Sequence, residues 1–232
     1  MYPGESMDAF MDGRLKLIQS RAGYRFSIDA VFLSHFVTVK PGDTVVDLGS
    51  GCGIILLILL LTRPVDYGVA LEIQSELVSQ AARNARLNGV ENKMAVVQGD
   101  IRTPPLAVRL ADLVVCNPPY RQTASGRINP DPRRAIAKHE ILAVLDDILS
   151  AARGLLKKRG RLALIYPCMR LTDLFLHLRR FNLEPKRVQV HYPTLESEGE
   201  LALLEASLGG RPGLKVSPPI VGQGPFSIKD PS

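Results

Sequence analysis

Two groups of residues in this 232-residue chain have the types and the order needed for chemistry. The first is Asn117-Pro118-Pro119-Tyr120. Proline cannot continue a sheet ladder, so a strand that runs into this tetrad must stop there. The Asn117 amide oxygen and the Pro118 backbone carbonyl can then face one point, and two converging acceptors suit a planar NH2 with two donors. Such a nitrogen is a poor nucleophile because its lone pair is delocalised into a ring or carbonyl. Holding both of its protons favours a tetrahedral geometry and stabilises positive charge growing on it. The proton can leave the cationic product afterwards, so no side-chain base is required. Tyr120 offers a flat face on which a base or amide plane can stack. A plain Asn-Pro-Pro loop is the alternative for the tetrad taken alone.

The second group is a glycine-rich turn with three carboxylates: Asp47-Leu48-Gly49-Ser50-Gly51-Cys52-Gly53, then Glu72, then Asp100. Glycines let the backbone turn sharply and approach a ligand closely. Such a turn alone could serve NAD, FAD or S-adenosylmethionine, or only pack a helix on a strand. Asp47 opens the turn at a place where it would repel a pyrophosphate, and it suits an ammonium group instead. Glu72 can accept from ribose hydroxyls and Asp100 from an adenine amino group. An acid-lined pocket matches a cationic sulfonium nucleoside, not a dinucleotide. The expected cofactor set is Asp47, Gly49, Gly51, Gly53, Glu72, Ile73, Asp100, Ile101 and Asn117. Asn117, Pro118 and Tyr120 are expected to be catalytic. Arg121, Arg127, Arg133, Arg134 and Lys138 follow Tyr120, where a substrate must enter, and are expected to contact phosphate.

These residues need elements to place them. Short apolar runs ending at 48, 72, 98, 116 and 166 read as strands, with helices over 54–62, 75–87, 135–156 and 171–180 between and after them. Asn88-Gly89 offers a C-cap for the second of these helices. Uniformly apolar strands alternating with helices imply an α/β fold with a parallel sheet covered on both faces. Ligands of such sheets bind at the carboxyl ends of the strands, where every residue singled out above falls. Segments 185–191 and 201–206 read as two final strands. Residues 1–40 form a leader. In it, 1–11 is loose or weakly helical, Arg14–Gln19 is a strand, Arg21-Ala22-Gly23 turns, and Tyr24–Phe26 returns as its hairpin partner. Ser27 and Asp29 offer N-caps for a following helix. Residues 41–208 form the core, and 209–232 an irregular tail.

With 46% hydrophobic residues, the chain can bury a sizeable core in one domain. Its net charge of +6 favours a polyanionic partner such as nucleic acid. Three scattered cysteines, Cys52, Cys116 and Cys168, suggest neither a metal site nor a disulfide framework. A reducing, cytoplasmic compartment is the simpler expectation. The first residues have no signal-peptide pattern. The apolar run 54–61 is too short to span a bilayer.

The chain resembles class I methyltransferases of the amino-nitrogen type. It is most similar to the bacterial family that methylates N6 of the adenosine beside the anticodon of a valine tRNA. The likeness rests on Gln19 and Gly23-Tyr24-Arg25-Phe26-Ser27-Ile28-Asp29-Ala30, the turn 47–53, Glu72, Gly99-Asp100, Asn117–Tyr120, and Ala137-Lys138-His139-Glu140. The turn and the tetrad define the chemistry; the leader and the Ala-Lys-His-Glu segment are narrower. The resemblance implies a Rossmann-like, seven-stranded, mostly parallel sheet with a C-terminal antiparallel hairpin. It also implies S-adenosylmethionine as cofactor and tRNA as partner, with neither metal nor membrane. By the same resemblance, Gly49, Gly51 and Gly53 line the methionine part, and Asn117 faces the target nitrogen. The short tail, with Gly224-Pro225-Phe226-Ser227-Ile228-Lys229-Asp230 near its end, departs from the family. Rival substrates for the same chemistry are a protein glutamine amide, guanine N2 in ribosomal RNA, and adenine in DNA. A binding module without catalysis is the rival of another class, and the intact tetrad argues against it.

Overall fold

A computed structural model describes residues 1–22, 26–118 and 145–222. Tyr24, Pro119, Tyr120, Arg121, Arg127, Arg133, Arg134 and Lys138 lie outside the described residues, as do residues 135–144 of the expected helix and the Ala-Lys-His-Glu segment.

The chain opens with an antiparallel hairpin of β1 (Glu5–Phe10) and β2 (Leu15–Ser20), with Met7 opposite Ile18. Residues 5–10 are thereby corrected to a strand, neither loose nor helical, while Tyr24 and Arg25 of the expected returning strand lie outside the described residues. The turn explains why. Met11, Asp12 and Gly13 all have positive φ, which Asp-Gly sequences supply in hairpins. Phe26 belongs to no strand and instead packs its ring edge-on against Phe10, centroids 5.2 Å apart. Helix α1 (Ile28–Phe36) follows. Ser27 takes the N-cap position without a side-chain cap bond, and Asp29 lies inside the first turn, where its charge suits the helix dipole.

The core then alternates as the apolar runs require. β3 (Asp43–Leu48), α2 (Ile54–Thr62), β4 (Val65–Glu72), α3 (Ser75–Leu87), β5 (Met94–Gln98) and β6 (Ala111–Cys116) come first. After the undescribed segment come α4 (Leu145–Leu155), β7 (Leu156–Pro167), α5 (Leu171–Arg180), β8 (Leu183–Tyr192) and β9 (Leu201–Leu208). α3 ends as its sequence requires. Gly89 has φ +67°, and the Val90 and Gly89 N–H groups return to the carbonyls of Ala85 and Arg86, a Schellman closure.

Seven strands line up as β8-β9-β7-β6-β3-β4-β5. β7, β6, β3, β4 and β5 are parallel neighbours, and β9 runs antiparallel to both β7 and β8. The order reverses at β3, whose neighbours are β4 on one side and β6 on the other. That reversal opens a crevice at the carboxyl ends of the strands.

The tail is not wholly irregular. Two short strands, β10 (Lys215–Val216) and β11 (Ile220–Val221), pair in parallel with β8. They cover an edge that would otherwise expose unpaired backbone groups.

Each face of the sheet carries its own core. α1 and α2 close one face over Val45, Leu113, Val115 and Ile165. α4 and α5 close the other over Val46, Val114, Leu162 and Leu164. The alternation of partners along one strand is the period of two that pleating imposes. α2 reads Ile-Ile-Leu-Leu-Ile-Leu-Leu-Leu-Thr, buried from Ile54 to Leu59, as expected of a helix enclosed on most sides. We expect Leu113→Ala, on the middle strand β6 and fully buried, to cost about 2–5 kcal/mol. Urea unfolding monitored by circular dichroism measures this.

Candidate functional site

The registers bring the expected residues to one edge. Leu48 is opposite both Leu71 and Cys116, and Glu72 is opposite Gln98. The turn after β3, the Glu72-Ile73 pair after β4, Gly99–Ile101 after β5 and Asn117-Pro118 after β6 therefore emerge side by side. Ile73, Ile101 and Asn117 are half-buried there, and Pro118 is buried.

Asp47 sits at the centre of this edge with 0% exposure. Neither of its carboxylate oxygens has a hydrogen-bond partner among the described residues. Burial, reinforced by the nearby charge of Glu72, pushes its pKa up to about 8. A buried polar group without a partner is costly, so it calls for an explanation such as a missing ligand. The hydroxyl of Ser50, also buried, is likewise without a partner among the described residues. An ammonium group is the complement such a carboxyl needs.

The turn is pinned from below. The Gly49 and Ser50 N–H groups donate to the Leu71 carbonyl at 2.9 and 3.1 Å. Gly49 has φ +72°, and a Cβ there would meet nothing within 4 Å. The residue is exposed, so its backbone is open to a ligand. Gly53 is needed for a second reason besides its φ of +86°. A Cβ there would lie 2.9 Å from Met94 Cε, so the end of that side chain would have to shift.

Glu72 is more a structural pin than its sequence position suggested. Its Oε2 accepts the Gly51 N–H, and its Oε1 accepts the N–H groups of Ile73 and Gln74, each at 2.9 Å. A carboxylate offers roughly four acceptor sites, which leaves about one for a ligand hydroxyl instead of two. Burial raises its pKa, and the three backbone donors oppose that rise.

Asp100 was expected to face a ligand amine. In the structure it is engaged by Arg102, whose Nε lies 3.0 and 2.9 Å from its two oxygens and whose backbone N–H donates to Oδ1 at 2.8 Å. That guanidinium holds the carboxyl below the usual range. Sequence reasoning missed Arg102; an Asp-x-Arg spacing is the signal that could have found it. It also missed Asn84, a fully buried amide in α3 that donates to the Cys52 carbonyl of the turn at 3.0 Å.

Cys52 and Cys116 are buried, and Cys168 is half-buried. Burial pushes the Cys52 thiol up to about 12 and Cys116 higher still. Among the described residues, no group of three or more His, Cys, Asp or Glu could hold a metal ion. No helix among them is long and apolar enough to cross a membrane.

The Asp47 carboxyl gives a pH signature. The folded chain holds its proton to about pH 8, whereas an unperturbed aspartate releases it near 3.8. Its stabilising contribution is whole below the unfolded value and is lost as pH rises through the folded one. The slope is at most about 1.4 kcal/mol per pH unit. In the ligand-free protein we expect Asp47→Asn to gain stability over wild type by up to about 2 kcal/mol between about pH 6 and about pH 8. Denaturant unfolding across that range checks it. A constant difference between the two proteins would show that Asp47 is already ionised.

Comparison with known proteins agrees with this geometry. A model of the family described as the methyltransferase small domain matches residues 27–170. The chain is 30% identical over 189 residues to the tRNA1(Val) (adenine(37)-N6)-methyltransferase of Porphyromonas gingivalis, spanning 78% of this chain and 73% of that protein. It is 32% identical over 148 residues to the protein of the same name from Aeromonas hydrophila, spanning 63% of this chain and 61% of that one. Among solved structures, a predicted O-methyltransferase from Agrobacterium tumefaciens superposes with a TM-score of 0.68 at 18% identity, covering 83% of this chain and 86% of that one. A SAM-dependent methyltransferase from Aquifex aeolicus superposes with a TM-score of 0.57 at 17% identity, covering 78% and 89%. These superpositions show a shared fold. With that fold, the family match and the acid-lined edge, the chain is a methyltransferase and belongs to the methyltransferase small-domain family, alongside the bacterial tRNA1(Val) (adenine(37)-N6)-methyltransferases.

Proposed function

We propose that this chain methylates N6 of an adenine in tRNA, with S-adenosylmethionine as methyl donor. The observation that carries the reading is the pairing of β3 with β6. That pairing puts Asp47, whose carboxyl has no partner among the described residues, and Asn117-Pro118 at neighbouring strand ends. The donor, when bound, supplies a methyl group activated by a positively charged sulfonium. Asp47 and the Ser50 hydroxyl are the orphaned groups that fit its amino-acid end. Gly49 gives that end close access to backbone, Glu72 keeps one acceptor site for a ribose hydroxyl, and Ile73 and Ile101 wall the adenine. Asp100 reaches the adenine amino group once the exposed Arg102 side chain turns outward.

Asn117 and the Pro118 carbonyl accept the two N–H donors of the target amine. They hold its lone pair out of conjugation and stabilise the positive charge that develops on nitrogen. Tyr120 stacks the extruded base. A tRNA loop offers partly unstacked bases, so extrusion costs only a few kcal/mol. Arg121, Arg127, Arg133, Arg134 and Lys138 supply phosphate contacts, consistent with the net charge of +6. The names of the curated relatives support tRNA over a protein amide.

The test is single-turnover transfer from labelled S-adenosylmethionine to unmodified tRNA, with the product nucleoside identified by mass spectrometry. We expect N6-methyladenosine from the wild type. Asn117→Ala should lose on the order of 10²–10³ in rate with little change in cofactor affinity. Label found only on glutamine side chains would overturn the RNA assignment. Near-normal turnover by Asn117→Ala would overturn the mechanism.

A further inference from the structure

Asn84 and Asn88 lie one helical turn apart on α3, and both face the outer edge of β2. The Asn84 Oδ1 accepts the Ile18 N–H at 2.7 Å, and its Nδ2 donates to the Ile18 carbonyl at 3.1 Å. The Asn88 Oδ1 accepts the Lys16 N–H at 2.9 Å, and its Nδ2 donates to the Lys16 carbonyl at 2.7 Å. Four helical residues rise about 6 Å, and two strand residues advance about 6.7 Å. The two steps nearly match. A pair of side-chain amides on a helix therefore takes the place of a neighbouring strand and docks the leader hairpin.

The two asparagines differ in one bond. The second Nδ2 hydrogen of Asn84 goes to the Cys52 carbonyl inside the glycine-rich turn, whereas that of Asn88 returns to the Asn84 backbone carbonyl. Elsewhere in the turn, the Gly49 and Ser50 N–H groups donate to Leu71, the Gly51 N–H donates to Glu72, the Gly53 N–H donates to the Ser50 carbonyl, and the Cys116 thiol donates to the Leu48 carbonyl. Asn84 thus holds the turn from the α3 side, by a carbonyl, while gripping both backbone groups of Ile18. With 0% exposure, it has no water to replace these partners.

We propose that Asn84 is a positioning residue for the cofactor turn and couples docking of the leader hairpin to affinity for the methyl donor. This rests on the reading that the turn holds the donor. Removing the side chain leaves the Cys52 carbonyl and both Ile18 backbone groups unpaired. The turn then loses its brace at the peptide before Gly53. The coupling is reciprocal, so a ligand that orders the turn also tightens the leader.

The experiment measures S-adenosylmethionine affinity by calorimetry, without RNA, for wild type, Asn84→Ala, Asn88→Ala and Asp47→Asn. Asn84→Ala should raise Kd roughly tenfold, and Asn88→Ala should stay within about twofold. The KM for S-adenosylmethionine should rise in parallel with Kd in Asn84→Ala, while the KM for tRNA holds. Equal losses in the two asparagine variants would reduce the effect to leader docking and overturn the proposal. An unchanged Kd in Asn84→Ala alone overturns it too. If Asp47→Asn also binds normally, the turn is not the cofactor site and the underlying reading fails instead. Hydrogen exchange in the unaltered chain tests the coupling without any substitution. Saturating S-adenosylmethionine should slow exchange of the Ile18 amide more than that of Lys16. No slowing at Ile18 overturns the proposal.

Discussion

A buried carboxyl group with no partner among the described residues sits at the carboxyl end of the strand where the sheet reverses. Asp47 is fully buried, and its charge is disfavoured both by burial and by Glu72. A fold keeps such a group only where the surrounding structure over-determines its position. Here β4 and β6 flank it on both sides, and the almost wholly apolar α2 begins just beyond the turn. Two of the buried polar side chains without a partner among the described residues, Asp47 and Ser50, fall together at this edge. That placement suits a site that must exclude water and yet attract a cation.

The same edge shows how acids in similar sequence contexts take different roles. Asp47 has no partner among the described residues, Glu72 is committed largely to backbone N–H groups, and Asp100 is closed by Arg102. Only the first is poised as a bare charge acceptor. The second gives the turn its shape, and the third lies at the rim, where a neutralising guanidinium can exchange with solvent. The leader contributes from outside the sheet. Its strand β2 is paired by amides of α3, and Glu5 forms a two-pronged ion pair with Arg83 of the same helix. Those bonds place the leader beside the glycine-rich turn.

The sheet and most helices were legible because their residues are uniformly apolar in short runs, and the periods of two and 3.6 are local signals. The site residues were legible because glycines, acids and an Asn-Pro pair fell at the ends of those runs. What was not legible depended on distant partners. Residues 5–10 carry only weak strand character, and only the positive-φ turn at Asp12-Gly13 makes them pair with β2. The tail strands Lys215–Val216 and Ile220–Val221 are too short to show a pattern and exist because β8 offers an open edge. Arg102 and Asn84 read as ordinary helix or loop residues until the fold brings Asp100 and Cys52 to them.

The central claim is that Asp47 waits, protonated, for an ammonium group. Calorimetric titration with S-adenosylmethionine near pH 7, repeated in buffers of different ionisation enthalpy, counts the protons exchanged on binding. A carboxyl held at about 8 in the free chain must ionise to face a cation. The wild type should therefore release close to one proton per ligand bound, and Asp47→Asn should release none. Tight binding by the wild type with no proton released, and equal binding by Asp47→Asn, would contradict the account.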